Sequence, residues 1–395
     1  MRGVRVVELA QWISAPATAA IMADWGAEIL KVEPINGDPF RWIFTTGASD
    51  SVNVLFEFDN RGKRSLAIDV SRDEGRDLLV ELIKDADVFL TNMRPQWLEK
   101  CRIDYDTLAA ECPRLIYASI TGYGSHGEQR DRQSYDIGGF WARSGLAFAH
   151  TVQGQAPPTL RGACGDHTTG MTLTAGVAAA LFERERTGKG QHVTTSLMRT
   201  GMYILGQDIT MSLRLGGSLP MGGAREDAGN PMMNSYCDRD GKWFWLLGLQ
   251  PDRMWPSAVR AVDRPEWLED ERFNSLPSRR QHARELVQLL DEIFATKTRD
   301  EWGEIFTRED VWWEPVMSPH EVVADPQVAA AGAWIEAPAA EGIVTMLNTP
   351  IDFSDSSVEP ALPCPQLGEH TDEVLLERGY DWDRIVELKV AGIVL

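Results

Sequence analysis

The chemistry this chain could perform gathers around one carboxylate. Asp166 lies in the run Arg161-Gly162-Ala163-Cys164-Gly165-Asp166-His167-Thr168-Thr169-Gly170, directly before the apolar residues 171–182. In that segment Met171, Ala175, Ala178 and Phe182 fall on one side and Leu173, Val177 and Leu181 on the other, a pattern apolar all round that predicts a helix enclosed by protein. Arg184 and Arg186 lie near its end and Gly188 stops it. An aspartate at such a helix start is favoured by unpaired backbone N–H groups and by the macrodipole, so it is expected to stay ionised. Two roles are open to it. One is a helix N-cap; the other is a carboxylate nucleophile beside amides that could steady an oxyanion.

Other reactive types are thinly spread. Ser134-Tyr135-Asp136 supplies a second carboxylate, and two carboxylates can divide nucleophilic and acid–base work if folding brings them together. His167 reads as polar lining rather than a base, and Cys164 as small-residue packing. None of the seven histidines has the spacing of a metal ligand set, so no metal is expected. There is no G-x-S-x-G and hence no hydrolase elbow. Cations stand out from an acidic background: Arg61, Lys63 and Arg64 in Asn60-Arg61-Gly62-Lys63-Arg64-Ser65, Arg72 after Ser71, Arg94 in Asn92-Met93-Arg94-Pro95, and Lys100. Several follow strand ends, where ligands of open α/β sheets bind, so they could converge on a phosphorylated ligand; a solvated face is the other reading.

The elements that must position these groups alternate. A β-branched run at residues 4–9 precedes a helix capped by Ser14 with Pro16 in its first turn, Gly26 stops it, and residues 27–33 form a second strand. This βαβ unit builds a parallel sheet, but its turn, Ala10-Gln11-Trp12-Ile13-Ser14-Ala15-Pro16, lacks the G-x-G-x-x-G that lets backbone approach a pyrophosphate. Further strands are expected at 65–70, 86–91, 115–120 and 191–197, and helices at 73–84 and 105–110. A glycine-rich linker covers 213–231. Beyond it come a hairpin at 235–249 turning on Asp240-Gly241, helices at 252–262, 280–296 and 300–306, and a final helix at 371–378. Trp255, Trp267, Trp302, Trp312 and Trp313 suggest the core of a small second domain.

Composition narrows the classes. A chain of 395 residues, 43% hydrophobic, can bury a sizeable core in two domains. Its formal charge of −20 argues against sequence-independent nucleic-acid binding. No apolar run approaches the roughly 18 residues of a membrane span, and the start, Met1-Arg2-Gly3-Val4, has no signal-peptide pattern. Five scattered cysteines without C-x-x-C fit reduced thiols and a cytoplasmic location.

Several stretches together resemble the class III CoA-transferases, the group of formyl-CoA transferase, carnitine CoA-transferase and α-methylacyl-CoA racemase. They are residues 3–9 (GVRVVEL), 23–28 (ADWGAE), 60–65 (NRGKRS), Gly165-Asp166, 187–191 (TGKGQ) and 367–375 (LGEHTDEVL). The resemblance implies an α/β fold with a Rossmann-like large domain and a smaller α+β domain, assembled as an interlocked, ring-like homodimer. On it the chain divides into 1–200, a linker at 201–230, a small domain at 231–319 and a return to the large domain at 320–395. It implies that Asp166 is the nucleophile and that coenzyme A, as acyl-CoA co-substrate, is held by Ile13, Ser14, Asp69, Ser71, Arg72, Asn92, Arg94, Lys100, Gln133, Tyr135 and Asp136. The partner substrate is a carboxylic acid, with no metal, nucleic acid or membrane. Gly222-Gly223 weakly matches a loop that covers the aspartyl intermediates in some members.

Departures from the family pattern sort the activities. The family's racemases carry a histidine directly before the aspartate matched by Asp136, and here that residue is Tyr135. A phenol ionising near 10 is poorly suited to proton abstraction at neutrality, so CoA transfer ranks above α-epimerisation; CoA binding without chemistry is a third reading. Gln11-Trp12-Ile13 is not the pattern of oxalate-using members, and Trp312-Trp313 replaces smaller residues. Both departures blur the acceptor: bulky apolar groups at the tryptophan pair suit a larger or less polar acyl group, and suit domain packing equally.

Overall fold

The computed structural model describes residues 1–43, 53–217, 223–356 and 360–395, and two compact units make up the chain. The first comprises Met1–Phe148, Pro158–Leu219 and Ala330–Leu395; the second comprises Ala149–Pro157 and Pro220–Ala329.

Six strands form the sheet of the first unit: β1 (Arg5–Leu9), β2 (Glu28–Glu33), β3 (Lys63–Ala67), β4 (Val88–Thr91), β5 (Ile116–Thr121) and β6 (His192–Ser196). All neighbours pair in parallel, in the order 3-2-1-4-5-6. The βαβ reading is therefore correct, and the order is that of a doubly wound sheet. Alternate side chains serve opposite layers. Val6, Ile29, Leu90 and Ala118 face α1 (Ser14–Asp24) and α7 (Cys164–Thr187); Val7, Leu9, Phe89 and Tyr117 face a core built with Leu79, Leu82, Leu375 and Leu388. Between α1 and α7 the chain adds α2 (Val54–Asn60), α3 (Asp73–Lys84), α4 (Pro95–Lys100), α5 (Tyr105–Glu111) and α6 (Leu146–Ala149).

Helices α1 and α7 lie close because their contact is lined by small residues. A Cβ on Gly170 would sit 2.7 Å from the Ser14 carbonyl oxygen, and Thr18 Oγ1 donates to the Gly170 carbonyl at 3.1 Å. The expectation of a wholly enclosed α7 is wrong for the single chain: Leu173, Val177 and Ala180 are buried, but Met171 and Phe182 are exposed. Neither Ser14 nor Asp166 is a cap. Ile13 and Ala163 hold the N-cap positions, so Ser14 begins α1 and Asp166 sits in the first turn of α7. A helix Trp382–Val390 follows Thr371–Glu377, where the sequence reading ended.

In the second unit, β7 (Met233–Cys237) and β8 (Trp243–Leu247) form the expected hairpin, with Gly241 at φ +82° in its turn. A third strand, β9 (Trp313–Pro315), joins β8. Trp255, Trp267 and Trp302 are core, with Trp255 and Trp267 stacked at 6.1 Å. Trp313 packs on Phe306 at 5.7 Å, while Trp312 is exposed. The helix expected over 280–296 breaks at His282 into Leu276–Gln281 and Ala283–Phe294. In the expected linker, the helix Gly206–Leu215 extends past residue 213; Gly222 lies outside the described residues.

Candidate active site

Strand order reverses between β1 and β4, so the turns leaving their carboxyl ends diverge and open a crevice. A cavity of about 300 Å³ occupies it. Gln11, Trp12 and Ser14 enter after β1, Asn92, Met93 and Arg94 after β4, Thr121 and Gly122 at the end of β5, and Leu197 after β6. Arg130, Arg132, Gln133, Ser134 and Tyr135 close one side, and Asp166 reaches in from the first turn of α7. A smaller cavity of about 120 Å³ carries Asp69 and Ser71 and shares Gln11 and Met93 with the first.

Of the residues assigned from sequence, Ser14, Asn92, Arg94, Gln133 and Tyr135 thus line one cavity with Asp166, and Asp69 and Ser71 line its neighbour. Ile13, Arg72, Lys100 and Asp136 line neither. Arg72 donates to the Ala391 carbonyl, and Lys100 is exposed at the end of α4. Gln11, Trp12, Arg130 and Arg132 line the first cavity beyond the contacts that the family resemblance implies. The polar stretch before Gln133 was the signal for the arginines; Trp12 gave none beyond its departure from pattern.

The cluster Arg61, Lys63 and Arg64 does not face this cavity. Arg61 pairs with Asp24 at 2.6 Å, Lys63 with Glu8 at 2.8 Å, and Arg64 with Glu373 and Glu377 at 3.1 and 3.0 Å. Its role is structural. Lys63, Glu8, Lys31 and Asp38 form a fully buried ion lattice, with Lys31 Nζ 3.0 Å from Glu8 and 3.1 Å from Asp38. This lattice grips the β1–α1 turn. Lys31 Nζ donates to the Ala10 carbonyl (3.2 Å), Lys63 Nζ to the Pro16 carbonyl (3.0 Å), and Asp38 Oδ1 accepts from the Trp12 amide (3.0 Å). From β4, Asn92 closes the grip on Gln11, accepting from its amide at 3.0 Å and donating to its carbonyl at 2.6 Å. Burial pushes the Lys63 ammonium down to about 8, against the pull of Glu8, whereas Glu8, Asp38 and Glu33 outweigh burial at Lys31 and raise it.

Asp166 contradicts the expectation of an easily ionised carboxylate. Burial, then the charges of Asp136 and Asp59, push it up to about 7, with His167 pulling the other way. Asp136 is itself buried; its Oδ1 accepts from the Ile137 amide at 2.7 Å and its Oδ2 has no hydrogen-bond partner among the described residues. Gly165 permits this closeness, because a Cβ there would lie 2.6 Å from the Phe140 ring in the π-helical turn Ile137–Ala142. His167 is not in this cavity. Its Nε2 lies 3.0 Å from Asp59 Oδ1, and it lines a separate, largely apolar cavity of about 550 Å³ with Phe58, Met171 and Ala333. Burial lowers the His167 pKa, but Asp59, with Asp166 and Asp136 beyond it, outweighs that and leaves it raised. Cys164, read as packing, is exposed. Among the described residues no cluster of His, Cys, Asp or Glu is arranged to hold a metal, and no helix is long and apolar enough to cross a membrane.

A carboxylate in a cleft among strand-end turns, with Arg94 and Arg132 in the same lining, is equipped to attack an acyl carbon. The family model of CoA-transferase family III matches residues 1–371. The chain belongs to CoA-transferase family III. Members named for their activity agree. The chain is 36% identical to (R)-2-hydroxy-4-methylpentanoate CoA-transferase of Clostridioides difficile, over 100% of this chain and 99% of that one. It is 32% identical to cinnamoyl-CoA:phenyllactate CoA-transferase of Clostridium sporogenes, over 98% and 95%. A crystal structure of a CAIB/BAIF family protein from Brucella suis superposes with a TM-score of 0.84 at 31% identity, covering 95% of this chain and 98% of that one. As a family III CoA-transferase, the enzyme acts on CoA thioesters and carboxylates.

Proposed function

We propose that the enzyme moves CoA from an acyl-CoA to a free carboxylic acid through covalent intermediates on Asp166. The reading rests on one observation: Asp166 lines the same strand-end cavity as Ser14, Asn92, Arg94, Gln133 and Tyr135. The ionised carboxylate attacks the thioester carbonyl, the C–S bond breaks, and CoA leaves as thiolate from an aspartyl–acyl anhydride. The thiolate then attacks the aspartyl carbonyl of the anhydride, expelling the first acid and leaving an aspartyl-CoA thioester. An acceptor carboxylate repeats both steps in reverse. Thioester is exchanged for thioester, so no external energy source is required.

Arg94 and Arg132, which form no ion pair among the described residues, serve the CoA phosphates; Asp69 and Ser71 extend the groove toward the adenosine, with Arg72 and Lys100 at its solvent edge. Ile13 supports Ser14 from the N-cap of α1, and Asp136 acts on Asp166 through its charge. The acids are of the kind named in the relatives, 2-hydroxy acids with a branched or aryl side chain. The working form is a homodimer of interlocked chains, whose partner would cover the apolar side chains of Tyr203, Leu213 and Leu215, 87%, 81% and 75% exposed in the single chain.

Asp166→Ala should lower transfer by more than about a thousandfold while leaving CoA binding intact, and hydroxylamine should trap an enzyme-bound acyl or CoA ester only in the wild type. Undiminished turnover in the variant would refute the assignment.

A further inference from the structure

Backbone strain borders the cavity, and its position is informative. Five non-glycine residues among those described have left-handed φ, and two of them flank the site: Trp12 at +66° and Ala163 at +68°. A bulky aromatic is among the worst choices for that conformation, which any L side chain resists and glycine adopts freely. Trp12 is nonetheless held there on every side. Its amide is bound by Asp38, the preceding residue is clamped twice by Asn92, and Ala10 and Pro16 are tied to buried lysines. A fully buried ion lattice is thus arranged around a turn that glycine would form unaided. Strain maintained by its surroundings at a site is a pointer to function.

The retained object is the indole. Trp12 lines the cavity with Asp166, and its ring meets Tyr135 edge-on at 5.4 Å and 82°, with Phe40 behind it at 6.4 Å. With Met93, Pro95, Ile120 and Leu197 it makes up the apolar part of the cavity lining. CoA phosphates have no use for such a lining. An acyl side chain does.

We infer that Trp12 is a specificity-determining residue: its indole, with Tyr135, forms the subsite for the branched-alkyl or aryl side chain of the acid on Asp166, favouring such acids over short or dicarboxylic ones. This rests on the CoA-transfer reading above and adds to it the group that selects the acid. Ala10 and the ion lattice act on the acid only through Trp12, whereas Asn92 both clamps Gln11 and lines the cavity itself.

The test compares wild type, Trp12→Gly and Trp12→Leu. Glycine suits the backbone and so preserves the fold; leucine keeps a smaller apolar group and guards against a collapse specific to glycine. Acceptor kcat/KM is measured for 2-hydroxy-4-methylpentanoate, phenyllactate, lactate and succinate with cinnamoyl-CoA as common donor, and free-CoA affinity by calorimetry. Because the donor is common, acceptor ratios cancel any effect on the first half-reaction. The preference for the branched and aryl acids over lactate and succinate should fall roughly ten- to a hundredfold in Trp12→Gly and less in Trp12→Leu, the scale of losing an apolar pocket wall, with CoA affinity unchanged within about twofold. A uniform loss over all four acids, or a matching loss of CoA affinity, would overturn it, the latter making Trp12 a platform for the nucleotide. Wild type that transfers CoA to none of the acids sinks the CoA-transfer reading itself, an outcome visible before any variant is compared.

Discussion

At Asp166, chemistry and folding pull apart. The carboxylate must be ionised to attack, yet burial and Asp136 push it up to about 7. Acceptor and donor kcat/KM should therefore fall on the acid side with an apparent pKa near 7. Asp136→Asn removes the nearer negative charge and should move that limb to lower pH; a pH–rate profile unmoved by the substitution would mean the two carboxylates do not communicate. The same shift affects stability. The native state holds a proton at Asp166 that the unfolded chain has released above 3.8, so this group's contribution falls as pH rises from about 4 to about 7. Asp166→Asn lacks that loss and should melt at a higher temperature than wild type at pH 8, while being inactive.

At the scale of elements, α7 and the β1–α1 turn place the nucleophile and the wall facing it. Gly165→Ala forces a Cβ into the Phe140 ring, so the first turn of α7 must withdraw from the Ile137–Ala142 turn. Denaturant unfolding should show a loss of about 1–3 kcal/mol, and kcat/KM should drop by about a hundredfold from misplacement of Asp166. Glu8→Gln tests the lattice: it leaves Lys31 paired with Asp38 alone and buries Lys63 without an ion-pair partner among the described residues, and should cost about 3–5 kcal/mol. These charges were visible in the sequence but not their role. Three cations before a strand read as a phosphate site, because a sequence lists Arg61, Lys63 and Arg64 without Asp24, Glu8 and Glu373, which complete the pairs from distant positions.

Over the whole molecule, acid sensitivity should trace to Glu33. Burial opposes its ionisation, but Arg41 at 2.6 Å and Ser65 at 2.7 Å hold the carboxyl down at about 2. Its folded pKa is depressed from 4.5, so its contribution is present above that value and is lost as pH falls toward 2; Glu33→Gln should flatten the stability profile in that window, read by thermal melts. The exposed Tyr203, Leu213 and Leu215 should be covered in solution, with light scattering giving twice the mass of one chain; a monomer at micromolar concentration would remove the homodimer from the proposed mechanism.

What the sequence alone determined was local: the six strands, the parallel sheet, the Asp240-Gly241 hairpin and the tryptophan core follow from period-two and helical patterning between neighbours in the chain. Family III membership also followed, because its motifs survive as short runs in fixed order. Only tertiary structure decided which charges are free and which are spent. It placed Arg94 and Arg132 in the cavity, locked Lys63 in the sheet, raised Asp166 through burial and then through Asp136 from thirty positions upstream, and twisted Trp12 into the left-handed region. Ionisation and strain depend on burial and on partners far along the chain, and distance in space is the one quantity that residue spacing does not contain.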